Sequence, residues 1–372
     1  MANGRVVEPD VNFIKGVIEL GGDSVKKCFQ CATCAVVCPL APEENPFPRR
    51  QMILAQWGQK DKLVKDPAVW LCHNCNDCSL YCPRGARPGD VLAAIRAYVI
   101  NEYARPKWLA NFVKTPKSLP LLIAFPIVIL LLLLAITGHR PTGEEIRPSN
   151  FLPTYYIDAV FLPLTFFLIV SLAKSIKQFW NDMSEGLEPP SRFQLILKGG
   201  WIGIIISTLK EILAHSRFYK CEANKGRALP HMLLLWSFIA LAIVTSIDVL
   251  AEYILHIEIP FPLSHPVKIL ANLGGILLLI GILTILINRI QDKQTVSTYW
   301  DWSLIVVILA VGITGFCAEF FRLIHIAKLA YGSYLIHVGF VFTLFVYLPY
   351  SKFAHIVYRT VVMIHERYYG KV

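Results

Sequence analysis

Apolar and polar positions divide this chain unevenly. Up to about residue 118 they are mixed; beyond it long apolar runs take over. Six of these runs, at 119–137, 157–173, 229–254, 267–287, 303–321 and 331–350, are close to or above the ~20 residues that a helix needs to cross a bilayer. All six are expected to be helical, because hydrocarbon offers no partner to a free backbone N–H or C=O. A shorter run, 199–209, is bounded by Lys198 and Lys210, so the segment 195–213 is predicted to lie along the membrane interface instead of crossing. In the polar part, Met52, Ile53, Gln56 and Trp57 recur at helical spacing and predict a helix over 51–63. Val91, Leu92, Ile95, Tyr98 and Val99 predict another over 89–104. Ser24 follows a Gly21-Gly22 break and is expected to N-cap a short helix. Residues 105–118, with Pro106, Pro116 and three lysines, read as an interfacial connector.

The length of 372 residues is enough for two domains. A net charge of +10 raises the possibility of nucleic-acid binding, but the basic residues cluster beside the apolar runs, where they set orientation. The segment 174–228 is rich in Lys and Arg, 255–266 has none, and the loops 138–156 and 322–330 have two each (Arg140, Arg147; Arg322, Lys328). That bias puts the polar N-terminal part in the cytoplasm. Residues 1–20 are not expected to act as a signal peptide, since Asp10, Lys15 and Glu19 interrupt any apolar core.

The polar part carries Cys28-x-x-Cys31-x-x-Cys34-x-x-x-Cys38-Pro39 and then Cys72-x-x-Cys75-x-x-Cys78-x-x-x-Cys82-Pro83. This is the spacing of bacterial two-cluster ferredoxins, in which the fourth cysteine of each run ligates the other cluster. Cys28, Cys31, Cys34 and Cys82 are therefore assigned to one 4Fe–4S cluster, and Cys72, Cys75, Cys78 and Cys38 to the second. A disulfide frame suits small secreted domains, and zinc usually takes two separated pairs, so neither competes well. The expected fold class is mainly α: a cytoplasmic α-helical two-cluster ferredoxin domain (1–118), a joining transmembrane helix and outer loop (119–154), and a cytochrome b-type membrane domain (155–372) that completes a six-span bundle.

Ionisable residues in a bilayer are costly and mark sites. His231 lies at the inner start of the third span and His355 just past the inner end of the sixth, beyond Pro349, which is expected to kink the helix. Imidazoles facing each other from two helices suit an axial pair on haem. His337 lies about 27 Å from His355 along the helix, so a second haem there needs another ligand, for which His256 is the best candidate, with His265 and His139 behind it. Asp248, Glu252 and His256 follow at i, i+4 and i+8 and are expected to share one helix face, either as a polar helix end or as a quinone- and proton-handling face. Glu319 and Arg322 do similar work or pair with each other. Gly274, Gly275, Gly312 and Gly315 allow close helix packing. Cys221 and Cys317 read as structural. No residue is assigned a catalytic role.

Together these motifs resemble known families. Residues 20–105, opening with Lys27-Cys28-x-Gln30-Cys31 and closing with Cys82-Pro83-Arg84-Gly85, are similar to the ferredoxin-type C subunit of heterodisulfide reductase. Residues 155–358 resemble the gamma subunit of respiratory nitrate reductase and the membrane subunit of heterodisulfide reductase. The match runs from His337 through Leu348-Pro349-Tyr350-Ser351-Lys352-Phe353-Ala354-His355, with Arg227-x-x-x-His231 on the partner helix. The fusion resembles the C-subunit family of quinone-interacting membrane-bound oxidoreductase complexes of sulfate-reducing organisms. The resemblance implies haem ligation by His231, His355 and His337, and so one or two haem b. It implies electron transfer between menaquinol or menaquinone and cytoplasmic flavin and iron–sulfur subunits, with adenylylsulfate reductase as acceptor. The nitrate reductase helix carries a second His ten residues after the first; Leu241 stands there in this chain. The Cys-Cys-Gly repeats that perform heterodisulfide chemistry are absent, so disulfide reduction is not expected. With no flavin motif, the chain is expected to be one subunit of an oxidoreductase and not catalytic alone. The alternatives are a structural membrane anchor, a membrane subunit of a heterodisulfide reductase-like or sulfite reduction-linked complex, and, more distantly, a transporter.

Overall fold

A computed structural model describes residues 8–43, 45–139, 145–221, 225–292 and 295–370; Arg140 falls outside them. Among the described residues the architecture is all helix, without a strand. Six helices are long and apolar enough to cross a membrane: Ser118–Thr137, Thr154–Met183, Gly226–Tyr253, Pro266–Gln291, Tyr299–Leu323 and Ala327–Tyr347. Each predicted span is found as one of them, and the chain is a multi-pass membrane protein. The segment predicted to be interfacial folds as two shorter helices, Arg192–Leu197 and Gly200–Leu213. Ser191 and Gln194 close the start of the first with a reciprocal capping box. The second buries Ile204 and Thr208 and leaves Trp201, Ile202, Ile205, Ile206 and Leu209 exposed. Thr208 Oγ1 accepts from Arg367 at 2.5 Å, and Lys198 Nζ donates to the carbonyls of Arg367 and Tyr368.

Several local expectations change. The helix predicted over 51–63 is two pieces, Arg49–Gln56 and Lys60–Leu63. Gly58 breaks it at φ +63°, where an added Cβ would lie 2.9 Å from Asp10 N, and its carbonyl accepts from that same N–H at 3.0 Å. Ser24 caps nothing: it is buried, and its hydroxyl accepts from Arg87 N at 3.0 Å, pinning the segment before the first cysteine motif to the chain after the second. The connector contains a helix, Lys107–Val113, which buries Leu109, Ala110 and Val113 against Tyr347 and Tyr350. The sixth span ends at Tyr347 instead of kinking, because the turn holding Pro349 stops it. A 3₁₀ turn, Lys352–Ala354, follows, and then a helix, His355–Tyr369, where the apolar pattern predicts only a tail.

That C-terminal helix and the second span bind the two halves together. The second span runs past the apolar stretch, because Lys174 and Lys177 interrupt hydropathy without interrupting helix, and its end drives Phe179 and Met183 into the core of the cysteine-bearing head. Trp70 of the head stacks on Tyr358 at 5.0 Å, Phe179 packs edge-on to Tyr358 and Tyr103, and Tyr103 Oη donates to Asp182 at 2.8 Å. Burial of each large side chain contributes about 1.5–3 kcal/mol. Head and bundle thus share one core across the covalent junction near residue 118.

Within the bundle the third span packs on the fourth, and the fifth on the sixth. Small residues set the spacing, as expected of helices in lipid: a Cβ on Gly312 would meet Leu279 at 2.6 Å, and one on Gly275 would meet Phe316 at 2.9 Å. At Gly281 the added carbon would lie 3.0 Å from the carbonyl oxygen of Pro230, a backbone atom beside His231. Gly281→Val is therefore expected to push the third span away and to cost about 1–3 kcal/mol of stability, read as a lower thermal midpoint of the detergent-solubilised protein.

Candidate functional site

The two cysteine motifs adopt one local geometry. Gln30 (φ 62°) and Ala32 (φ 72°) in the first, and Asn74 (φ 53°) and Asn76 (φ 70°) in the second, occupy the left-handed region at the same offsets from the leading cysteine. Non-glycine residues seldom do so; the bends turn amides toward sulfur. Gln30 N lies 3.4 Å from Cys28 Sγ and Asn74 N lies 3.3 Å from Cys72 Sγ. Each loop then enters a one-turn helix, Thr33–Val36 or Asp77–Leu80, which holds the third cysteine, and these two turns pack together.

The thiols gather in two sets, each taking its fourth member from the other motif. A small pocket is lined by Cys38, Cys72, Cys75 and Cys78, with Phe47 and Gly89 among its walls. Burial pushes the Cys38 thiol up to about 11, with Cys72 and Cys75 adding to the effect. The Cys34 thiol is likewise pushed up to about 11 by burial and then by Cys28, Cys31 and Cys82. Cys78 is raised further, by burial and by Cys72, Cys75, Cys34 and Cys38, so the two sets are neighbours. Crowded thiols resist ionisation in the absence of a cation, and soft metals such as those of iron–sulfur clusters supply it. None of the ten cysteines is in a disulfide. The donor sets, with their inward amides, fit two cubane clusters.

Cys221, read from the sequence as structural, is buried against this region: its sulfur lies within 4.8 Å of the ligand atoms of Cys75 and Asp77. A thiol–thiol hydrogen bond lowers the pKa of Cys75 and raises that of Cys221. No spacing rule links these positions, so only the tertiary fold reveals the contact.

His231 and His355 meet at the head end of the bundle, with ring centres 6.1 Å apart and planes at 70°. Two metal–nitrogen bonds of about 2 Å, plus the two half-rings, span roughly 6 Å, so the pair fits one metal between the imidazoles. His355 Nδ1 donates to the Lys352 carbonyl at 2.6 Å, which leaves Nε2 for a ligand. His231 Nδ1 is engaged by His215 Nε2 at 2.8 Å. Nothing in the sequence marks His215; it is buried, in the left-handed region at φ 52°. Burial and then His231 hold the His355 imidazole down to about 3, neutral and able to coordinate. His337 is also anchored through Nδ1, which lies 3.1 Å from the Val311 carbonyl and 3.2 Å from Thr314 Oγ1, and Gly315 gives the ring room.

Other expected groupings do not form. The third span ends at Tyr253, so Asp248 and Glu252 share a helical face but His256 does not continue it; His256 is exposed, at φ 51°. Among the described residues no ring contact joins His256 to His337. His265 instead caps the fourth span and stacks on Phe261, and His139 bonds the Asn150 carbonyl. Glu319 pairs with Lys268 and accepts from Asn272 at 3.3 Å, not from Arg322. Cys317 is half-buried.

Fold and sites define a multi-pass membrane protein with an iron–sulfur head. Residues 24–86 match the 4Fe-4S dicluster domain. Residues 158–371 match the model of the citrate utilization protein B family, and the chain belongs to that family. Its head is of the heterodisulfide reductase C-subunit type. It is 38% identical over 102 residues to the C subunit of the H(2):CoB-CoM heterodisulfide,ferredoxin reductase of Methanothermobacter thermautotrophicus (27% of this chain, 52% of that one). It is 39% identical over 87 residues to a heterodisulfide reductase C-subunit-like protein of Archaeoglobus profundus (23% and 46%). It is 36% identical over 125 residues to the iron-sulfur C subunit of the CoB--CoM heterodisulfide reductase of Methanopyrus kandleri (33% and 56%). The chain spans about half the length of these curated relatives. No solved structure matches it.

The crossed thiol sets yield a direct expectation. Cys38→Ser should weaken the electron paramagnetic resonance signal of the cluster held by Cys72, Cys75 and Cys78, and leave the cluster of its own motif intact.

Proposed function

We propose that this chain is the membrane electron-transfer subunit of a quinone-dependent oxidoreductase complex. It passes electrons between menaquinol or menaquinone in the bilayer and cytoplasmic flavin and iron–sulfur partner subunits. On this reading Cys28, Cys31, Cys34 and Cys82 hold one 4Fe–4S cluster and Cys72, Cys75, Cys78 and Cys38 the other. His231 and His355 are the axial ligands of a haem b, and His337 is the ligand to a second. When bound, these groups supply one-electron carriers. The chain's own part is to fix their spacing and to keep His355 neutral and turned by its Nδ1 bond.

The observation that carries the reading is the facing imidazole pair at 6.1 Å beside a dicluster head. A cleft between the second and third spans supports a lipid-soluble substrate. Its volume is about 730 Å³, its walls include Leu162, Val249 and Leu250, and its polar edge is Tyr253 Oη donating to Asp158. Apolar walls with a few polar groups suit a quinone ring. The half-buried Asp248 and Glu252, on the same third span, offer a route for protons. The excess of Lys and Arg in 174–228 supports a cytoplasmic head in the inner membrane. Adenylylsulfate reductase as final acceptor is supported by the sequence resemblance alone.

A reduced-minus-oxidised spectrum of the purified protein tests the proposal: a b-type alpha band is expected, and its absence would leave only a structural anchor with an iron–sulfur head. His355→Ala should lose the haem held near the head while both clusters remain. A full haem complement in that variant would overturn the assignment.

A further inference from the structure

The membrane half grips one cysteine loop. Arg359, one turn beyond His355 on the C-terminal helix, donates Nε to the Trp70 carbonyl at 2.9 Å and Nη2 to the Cys72 carbonyl. Arg227, one turn before His231, donates Nη1 to the Asn74 carbonyl at 3.1 Å. Phe218 lies between His231 and His73, with ring centres 5.2 and 5.0 Å away. Cys221 touches Cys75. All four contacts fall within residues 70–75, in or just before the second motif. The first loop is tied only within the head by the bonds described for it: Gln30 to Gln56, and Arg49 to the Gln30 carbonyl. It also carries the exposed Cys31 and the exposed Phe29, which lies under Arg84 at 4.0 Å.

We infer that the two thiol sets are ordered: Cys72, Cys75, Cys78 and Cys38 form the inner set, facing the bundle, and Cys28, Cys31, Cys34 and Cys82 form the outer set, facing soluble partners. This rests on the reading of these thiols as cluster ligands, and not on the presence of a haem. His73 and Phe218 fill the space between His231 and the inner set with ring contacts, so the short path from the bundle ends at Cys72. A one-electron exchange along it makes and breaks no bond: the membrane-side donor loses one electron and the inner centre gains it.

The test uses the full chain, reduced, in lipid nanodiscs. A water-soluble dysprosium chelate speeds the spin relaxation of a cluster near the surface. Cys34→Ser and Cys78→Ser identify which resonance belongs to which set. The chelate is expected to speed relaxation of the resonance lost in Cys34→Ser and to leave unchanged the one lost in Cys78→Ser; the reverse, or an equal response, overturns the order. Should those variants fail to fold, Cys221→Ala keeps all eight ligands. It is expected to shift the midpoint potential of the chelate-insensitive resonance alone, and a shift of the other, or of neither, overturns the inference. Loss of the b-type band in the same sample would count against the haem and leave this order untouched.

Discussion

Three guanidinium groups converge on one loop, and the rest of the architecture depends on that convergence. Arg96 donates to the carbonyls of Val69 and Cys72, Arg359 to those of Trp70 and Cys72, and Arg227 to that of Asn74. Four sulfurs gathered round this loop concentrate negative charge once a bound cation ionises them, and arginine, always charged and rich in planar donors, is suited to oppose it. Burying a guanidinium is costly unless its donors are satisfied; the loop's carbonyls take those of Arg359, while the half-exposed Arg227 divides its donors between the Asn74 carbonyl and Asp292. Arg96 belongs to the head, Arg227 to the third span and Arg359 to the C-terminal helix. The loop is therefore the meeting point of three parts of the chain distant in sequence.

The aromatic core nearby serves the same end by other means. Trp70 lies two residues before Cys72, and its stack on Tyr358 holds the loop against the helix that begins with His355. His355 and Arg359 occupy successive turns of that helix, so one element presents an imidazole to the bundle and a guanidinium to the head. Ser24 supports the other side, joining the start of the first motif to Arg87 after the second.

What was legible in the sequence is what depends on local repetition. The cysteine spacing, the six apolar runs and the helix over 89–104 each announce themselves within a short window, and the structure has helices at all of those runs. What was illegible depends on partners far along the chain. Gly58 breaks the helix over 51–63 because Asp10 approaches it, and Asp10 carries no mark of that in its neighbourhood. His215 has no periodic pattern, yet it orients His231. Cys221 looks like an isolated thiol until the fold brings it to Cys75. His256 shows the opposite error: its i+8 spacing from Asp248 assumed a helix that stops at Tyr253.

The shared core has a consequence for biosynthesis. Domains usually fold as they emerge, N-terminal part first. Here the walls around Trp70 are completed by Phe179 from the second span and by Tyr358 and Val362 from the last helix. The head cannot close its core until those later helices have been made. Closure of the head's core is therefore coupled to the docking of the second span and of the His355–Tyr369 helix.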